Sequence, residues 1–253
     1  MASSTSLSDS HGQRTESTHD LKTRLPMRPV GVPVALALLF DIDGTLMDTL
    51  DAIVEAMSLA LAEVGQPPLR AGELRPLIGR PVPYQMKVLR DMEGPVVDRI
   101  TDAYYAHFGR IIEADPRLYP GVAETFGALT GRRISTMTTR RRRNAERMLQ
   151  AAGIAGHFTA IVGGDEVPRP KPAPDLPIHA AKAIDVPPNR AVVVGDAPVD
   201  ILAGRAAGAW TVAVTYGYGD PATLRQTKPH LEIARFPDLP KALVELDALS
   251  AFS

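Results

Sequence analysis

A continuous apolar run, Val34-Ala35-Leu36-Ala37-Leu38-Leu39-Phe40, ends abruptly on Asp41-Ile42-Asp43-Gly44, and no other feature of the chain restricts its fold so much. The run lacks the alternation of a half-exposed strand and is far shorter than the roughly 20 residues of a membrane span, so it suits a strand buried on both faces of a parallel sheet. Two carboxylates directly after such a strand stand at its carboxyl end, where open parallel sheets hold their ligands.

The rest of the chain agrees with that start. Further apolar segments at Arg133 to Thr138, Ala160 to Val162, Ala191 to Val194 and Trp210 to Val214 are separated by helix-length stretches. Strands alternating with helices imply crossover connections, hence an α/β fold with a doubly wound parallel sheet. Thr49 to about Asp115 breaks the alternation and reads as helices only, with Ile53, Met57, Ala60, Leu61 and Val64 at helical spacing. This predicts an inserted α-helical domain, closed by Leu118-Tyr119-Pro120-Gly121-Val122, where Pro and Gly turn the chain back toward the sheet. The expected organisation is a disordered polar tail over 1–29, a core of 30–49 with 118–253, and a helical insert over 50–117.

Composition bounds the function. With 28 basic and 29 acidic residues the net charge is -1, so no global field draws the chain to nucleic acid or to an anionic membrane, and any anion site must be local. There is no cysteine, which excludes disulfides, thiolate metal sites and a cysteine nucleophile and suits a reducing compartment, so the cytoplasm is expected. The polar residues ahead of the apolar run, and the absence of a small-residue cleavage site after it, argue against a signal peptide. The histidines show no metal-ligand spacing, and Trp210 reads as core. A monomer or weak homodimer is expected.

In a strand Asp41 and Asp43 point to the same side, and Gly44 permits a sharp turn after them, so the two carboxylates can meet one group from different directions. That suits a nucleophile and a proton shuttle. A plain turn and a calcium loop also use short acidic, Gly-containing segments. The calcium loop fails on spacing, and a plain turn does not explain the buried strand feeding it.

Asp41-Ile42-Asp43-Gly44-Thr45-Leu46 resembles the first signature of the haloacid-dehalogenase-like hydrolase superfamily, and three more signatures appear in order. Thr138, in Ser135-Thr136-Met137-Thr138-Thr139-Arg140, matches the family's phosphoryl-binding hydroxyl. Lys171, in Arg169-Pro170-Lys171-Pro172, matches its phosphate-clamping lysine. Gly195-Asp196-Ala197-Pro198-Val199-Asp200 matches its acidic metal-binding signature. The likeness spans Val34 to Tyr218 and is greatest to phosphoglycolate phosphatases.

The resemblance implies Asp41 as nucleophile, Asp43 as general acid and base, and a helical cap that selects the leaving group. It further implies Mg2+ held by Asp41, Asp43, Asp196 and Asp200, with Gly44, Thr139, Arg140 and Arg80 as substrate contacts. The substrate would be a small phosphorylated metabolite such as phosphoglycolate or a sugar phosphate.

These roles are chemically coherent. A phosphate dianion repels a carboxylate nucleophile, so attack by Asp41 needs a cation between them. Magnesium prefers hard oxygen ligands; Asp41, Asp196, the backbone carbonyl of Asp43 and a phosphoryl oxygen supply them, with Asp200 a ligand or a supporting carboxylate. Other readings stay open: Lys171 as a solvated loop lysine, Asp196 as a helix N-cap, Arg80 as a surface arginine. The run Arg140 to Arg143 opens an expected helix running to Ala152 and reads mainly as a solvated face, with only Arg140 near enough to Thr138 to meet a substrate anion. Thr139 and Ala197 depart from the Asn and Ser of close relatives, which bears on positioning and substrate preference. A phosphomutase or a non-catalytic sensor of a phosphorylated metabolite also suits the pattern. A dehalogenase suits it poorly, having no need of Asp43 or Asp196.

Overall fold

The computed structural model describes residues 35–251. The expected tail, 1–29, and Val34 lie outside the described residues. Five strands form one wholly parallel sheet in the order β2-β1-β3-β4-β5: β1 (Ala37–Phe40), β2 (Ile134–Thr136), β3 (Ala191–Gly195), β4 (Trp210–Val214) and β5 (Leu231–Ile233). The register places Phe40 between Thr136 and Val194, so β1 is hydrogen-bonded on both sides and its carboxyl end is central.

The unbroken apolar run is explained by burial on both faces. Leu38 and Phe40 join the core on one face with Val192, Val194, Val212 and Val214, while Ala37 and Leu39 join the other with Val193, Leu176 and Ala180. Ten α-helices lie among the described residues: α1 (Leu50–Ala62), α2 (Ala71–Leu74), α3 (Val82–Arg90), α4 (Pro95–Ala114), α5 (Val122–Ala128), α6 (Arg142–Ala151), α7 (Asp175–Ala183), α8 (Pro198–Ala206), α9 (Pro221–Gln226) and α10 (Leu239–Ser250).

Between β1 and β2 the chain is helical throughout, α1 packing on α4 through Ile53, Met57 and Leu61 against residues that include Tyr104, Phe108 and Ile112. The two strands leading into and out of this segment run side by side: the Asp48 amide donates to the Arg117 carbonyl at 2.9 Å and the Tyr119 amide to the Leu46 carbonyl at 3.0 Å. No helix among the described residues is long and apolar enough to cross a membrane.

Three expectations needed correction. Ala160 to Val162 is not a strand but a single bridge beside Ser135. The Thr136 hydroxyl replaces the ladder there, donating to the Val162 carbonyl at 2.8 Å and accepting its amide at 2.7 Å. β2 ends at Thr136, short of Thr138, and α6 begins at Arg142, two residues after Arg140.

Phe40 lies at the centre of an aromatic group, with ring centroids 5.8 Å from Phe126, 5.9 Å from Phe236 and 6.5 Å from Phe158. Phe40→Ala empties that space, and the expected loss of stability is about 3–5 kcal/mol, read as a lower denaturant midpoint with unchanged slope.

Candidate active site

The sheet's carboxyl edge gathers the acidic groups. The Asp41 amide donates to the Val194 carbonyl at 3.0 Å, which carries the β1–β3 ladder to the rim and leaves the Asp41 side chain just beyond it. The chain then winds tightly, with the Ile42 carbonyl accepting the amides of Thr45, Leu46 and Met47. Gly44 has φ +82°, and a Cβ there would lie 2.3 Å from Asp196 Oδ2, so both its backbone angle and its neighbour demand glycine.

Lys171 Nζ, buried with its residue only 2% exposed, donates to Asp41 Oδ1 at 2.8 Å and to Asp200 Oδ1 at 2.5 Å. Asp196 accepts from the Thr45 hydroxyl at 3.0 Å and from the Tyr218 amide at 2.7 Å. Asp200, in the first turn of α8, also accepts the Ala197 amide at 3.0 Å. Asp200 therefore supports the start of α8, whose N-cap is Ala197, and Asp196 is not an N-cap but lies ahead of the helix. Lys171 is no solvated loop lysine.

Asp43 is held by different partners. Arg140 grips it with Nε to Oδ2 at 2.7 Å and a terminal nitrogen to Oδ1 at 2.9 Å, and the Thr49 hydroxyl donates to Oδ1. Arg140 is itself buried, with its guanidinium 3.7 Å from the Phe108 ring centroid and 2.6 Å from the Tyr104 hydroxyl, both on α4.

Electrostatics separate the two halves of the site. Burial pushes the Asp41 carboxyl up; Lys171 pulls against it, but Asp200, Asp196 and Asp43 add repulsion, and it stands well above the usual carboxylate range. Burial and the Asp200 charge push Asp196 up to about 7, against the Tyr218 amide and the Thr45 hydroxyl. On Lys171 burial works against the charge, yet Asp200 and Asp41 outweigh it and the ammonium is held. Burial likewise opposes ionisation of Asp43, but the charge and bonds of Arg140, with Thr49, hold it below the usual range.

Asp41, Asp196 and Asp200 each offer a carboxylate oxygen within 4.8 Å of the others, all buried. A single ammonium under-neutralises them. Their all-oxygen donor set and their raised proton affinity fit a hard dication such as Mg2+. The Asp43 side chain is not in this cluster.

A cavity of about 310 Å3 opens over the cluster, lined by Asp41, Asp43, Lys171, Asp196 and Asp200 from the sheet edge and by Arg75, Ile78 and Gly79 from the helical segment. Thr138 is not on this wall; it is fully buried beyond β2, its hydroxyl accepting the Arg140 amide at 3.2 Å. Thr139, Arg140 and Arg80 line a separate pocket of about 30 Å3 that also touches Asp43.

Sequence reasoning missed Arg75, Thr45, Thr49 and Tyr218. Tyr218 had a readable signal, an aromatic between Gly217 and Gly219 just past a strand end; Thr49 had one as the residue before a helix.

Residues 38–214 match the haloacid dehalogenase-like hydrolases, and the chain belongs to that family. Within it, the chain is 37% identical over 202 residues to a plasmid-borne phosphoglycolate phosphatase of Cupriavidus necator, covering 77% of this chain and 87% of the relative. A phosphoglycolate phosphatase of Nitrosospira multiformis is 31% identical over 192 residues, with 73% and 85% covered. Among solved structures, a predicted phosphoglycolate phosphatase from Haemophilus somnus superposes with TM-score 0.73 at 26% identity, covering 82% of this chain and 97% of that one. The CbbY protein of Rhodobacter sphaeroides, solved with xylulose 1,5-bisphosphate, gives 0.72 at 25%, covering 81% and 96%.

Because Asp41 and Asp196 bind protons more tightly folded than unfolded, their contribution to stability is full below the usual carboxylate range and is lost as pH rises, for Asp196 through about 7 and for Asp41 through its own raised range. In chelator, the protein should therefore have a lower Tm at about pH 8 than at about pH 5.5, and millimolar Mg2+ should restore it at the higher pH. Asp196→Asn should flatten both responses. A thermal-shift series with and without Mg2+ reads this without any activity assay.

Proposed function

We propose that this protein is a Mg2+-dependent phosphatase of small phosphate monoesters, acting through an aspartyl-phosphate intermediate on Asp41. The observation that carries this reading is the meeting of Asp41, Lys171, Asp196 and Asp200 under one cavity with Asp43 beside them. Family membership supports it, as do the phosphoglycolate phosphatases the chain is similar to.

Asp41 attacks phosphorus, the bond to the leaving oxygen breaks, and Asp43 gives that oxygen a proton. In the second half Asp43 takes a proton from water, whose oxygen attacks phosphorus and releases phosphate from Asp41. Asp41, Asp196 and Asp200 would hold the dication, which would offset the repulsion between the carboxylate nucleophile and the phosphate dianion. Lys171 keeps the Asp41 carboxylate oriented and offsets its repulsion toward the dianion. The grip of Arg140 and Thr49 favours the ionised Asp43 that the second half requires, so the first half calls for that grip to loosen. Thr138 sits behind this arrangement and steadies the Arg140 backbone, and a direct bond to the phosphoryl group would require the loop after β2 to shift.

The helical segment 50–117 serves as the cap of the site, and it reaches the cavity wall through Arg75, Pro76, Ile78 and Gly79. Phosphoglycolate is the leading substrate, with sugar phosphates next, and the cytoplasm is the natural setting for both.

Phosphate release should be measured on phosphoglycolate, pentose and hexose phosphates and nucleotides, with Mg2+ and with chelator. Expected are Mg2+-dependent turnover, its loss in Asp41→Asn, and a fall of about 10²–10⁴-fold in Asp43→Asn. No release on any ester from folded, Mg2+-loaded protein would defeat the reading, and interconversion of sugar phosphates without release would replace it with a mutase.

A further inference from the structure

Among the described residues, the helical segment places a single cation, Arg75, on the wall of the 310 Å3 cavity. The other cation on that wall, Lys171, is committed to Asp41 and Asp200. Arg75 is anchored but not neutralised: its Nε donates to the Tyr218 carbonyl at 3.3 Å and a terminal nitrogen to the Gly217 carbonyl at 3.1 Å. Both acceptors are uncharged, and Arg75 forms no ion pair among the described residues. A guanidinium has more donors than these two bonds use, in a planar fork that matches a carboxylate or phosphate.

The anchor is close to the chemistry. A Cβ on Gly217 would sit 2.3 Å from the Asp196 Cβ and from the Gly44 carbonyl oxygen, so the loop that Arg75 grips lies directly on the acidic cluster. The same wall carries Asp41, Asp43, Asp196, Asp200 and Asp220. A leaving group with its own negative charge is repelled by these carboxylates unless a cation meets it. At about 30 Å3 per water the cavity holds about ten waters, more than a phosphate group needs.

We propose that Arg75 is the specificity-determining residue of this site: its guanidinium, fixed by the Gly217 and Tyr218 carbonyls, receives a second anionic group on the leaving side of the ester. The proposal rests on the phosphatase reading and goes beyond it by assigning the preference for anionic leaving groups to one side chain. Arg80 and Arg140, the other arginines near Asp43, do not reach this wall, and Arg140 is occupied by Asp43.

The test compares kcat/KM on phosphoglycolate and on ethyl phosphate, which lacks the carboxylate, for the wild type, Arg75→Gln and Arg75→Lys, with Mg2+ present. The wild type should prefer phosphoglycolate. In Arg75→Gln that preference should shrink by about 10- to 100-fold, chiefly through KM, and Arg75→Lys should recover part of it. Equal losses on both esters would mean that Arg75 only fastens the helical segment to the core, and an unchanged preference would place anion recognition elsewhere; either overturns the assignment. A wild type that hydrolyses both esters without preference also overturns it while leaving the phosphatase reading intact. A wild type that hydrolyses neither defeats that reading and this proposal together.

Discussion

The buried ammonium of Lys171 is the interaction on which the site depends. Among the described residues its two bonds, to Asp41 and Asp200, are the only direct cationic contacts to a cluster of three carboxylates that are all almost fully buried. Removing one partner of a buried ion pair leaves an uncompensated charge, a far larger effect than losing a surface pair. Even with Lys171 in place the balance is unfavourable to ionisation, which is why Asp41 and Asp196 hold protons so tightly. The cluster is therefore built for a state that contains more positive charge than the chain itself brings.

The sheet explains how residues so distant in sequence come to share that cluster. In the order β2-β1-β3-β4-β5, the connection out of β1 runs to one side and that out of β3 to the other, so the crevice opens between β1 and β3. Asp41 directly follows β1 and Asp196 directly follows β3, so the two flank that crevice. The loop after β4 closes it from the side, with the Tyr218 amide on Asp196 and the Tyr216 hydroxyl on the Thr45 carbonyl at 2.7 Å. Parallel strands pointing the same way make this convergence a consequence of topology and not of any single contact.

Much of this was legible in the sequence, because burial on two faces leaves a continuous apolar run and strand tips leave carboxylates at fixed offsets from it. β1, β3 and β4, Asp41 and Asp196 all carry such local marks; Lys171, in a loop between prolines, was marked only by its likeness to the family's lysine signature. β5 was not, since Leu231–Ile233 is a short edge strand with Glu232 exposed. The run Arg140 to Arg143 shows why the rest was hidden. Arg140 turns inward to Asp43, 97 residues away; Arg141 lies over Tyr105; Arg142 pairs with Glu146 and Glu166 while its amide bonds Asp165. One residue type has three fates because the chain passes from the loop after β2 into α6 within those positions. Which partner each side chain finds depends on tertiary distances that no local pattern records.

The surroundings of Asp43 draw on the helical segment and its entry in two places. Thr49, just before α1, donates to Asp43 directly, and Tyr104 and Phe108 of α4 hold the Arg140 that grips it. Arg75, from the same segment, fixes the loop that bonds Asp196. A small displacement of these helices would thus change the partners of Asp43 and the support of Asp196 together, whereas the Lys171 contacts to Asp41 and Asp200 belong wholly to the sheet edge. The division is physical: the carboxylate cluster is set by the core, and the environment of Asp43 is set by the position of the helical segment.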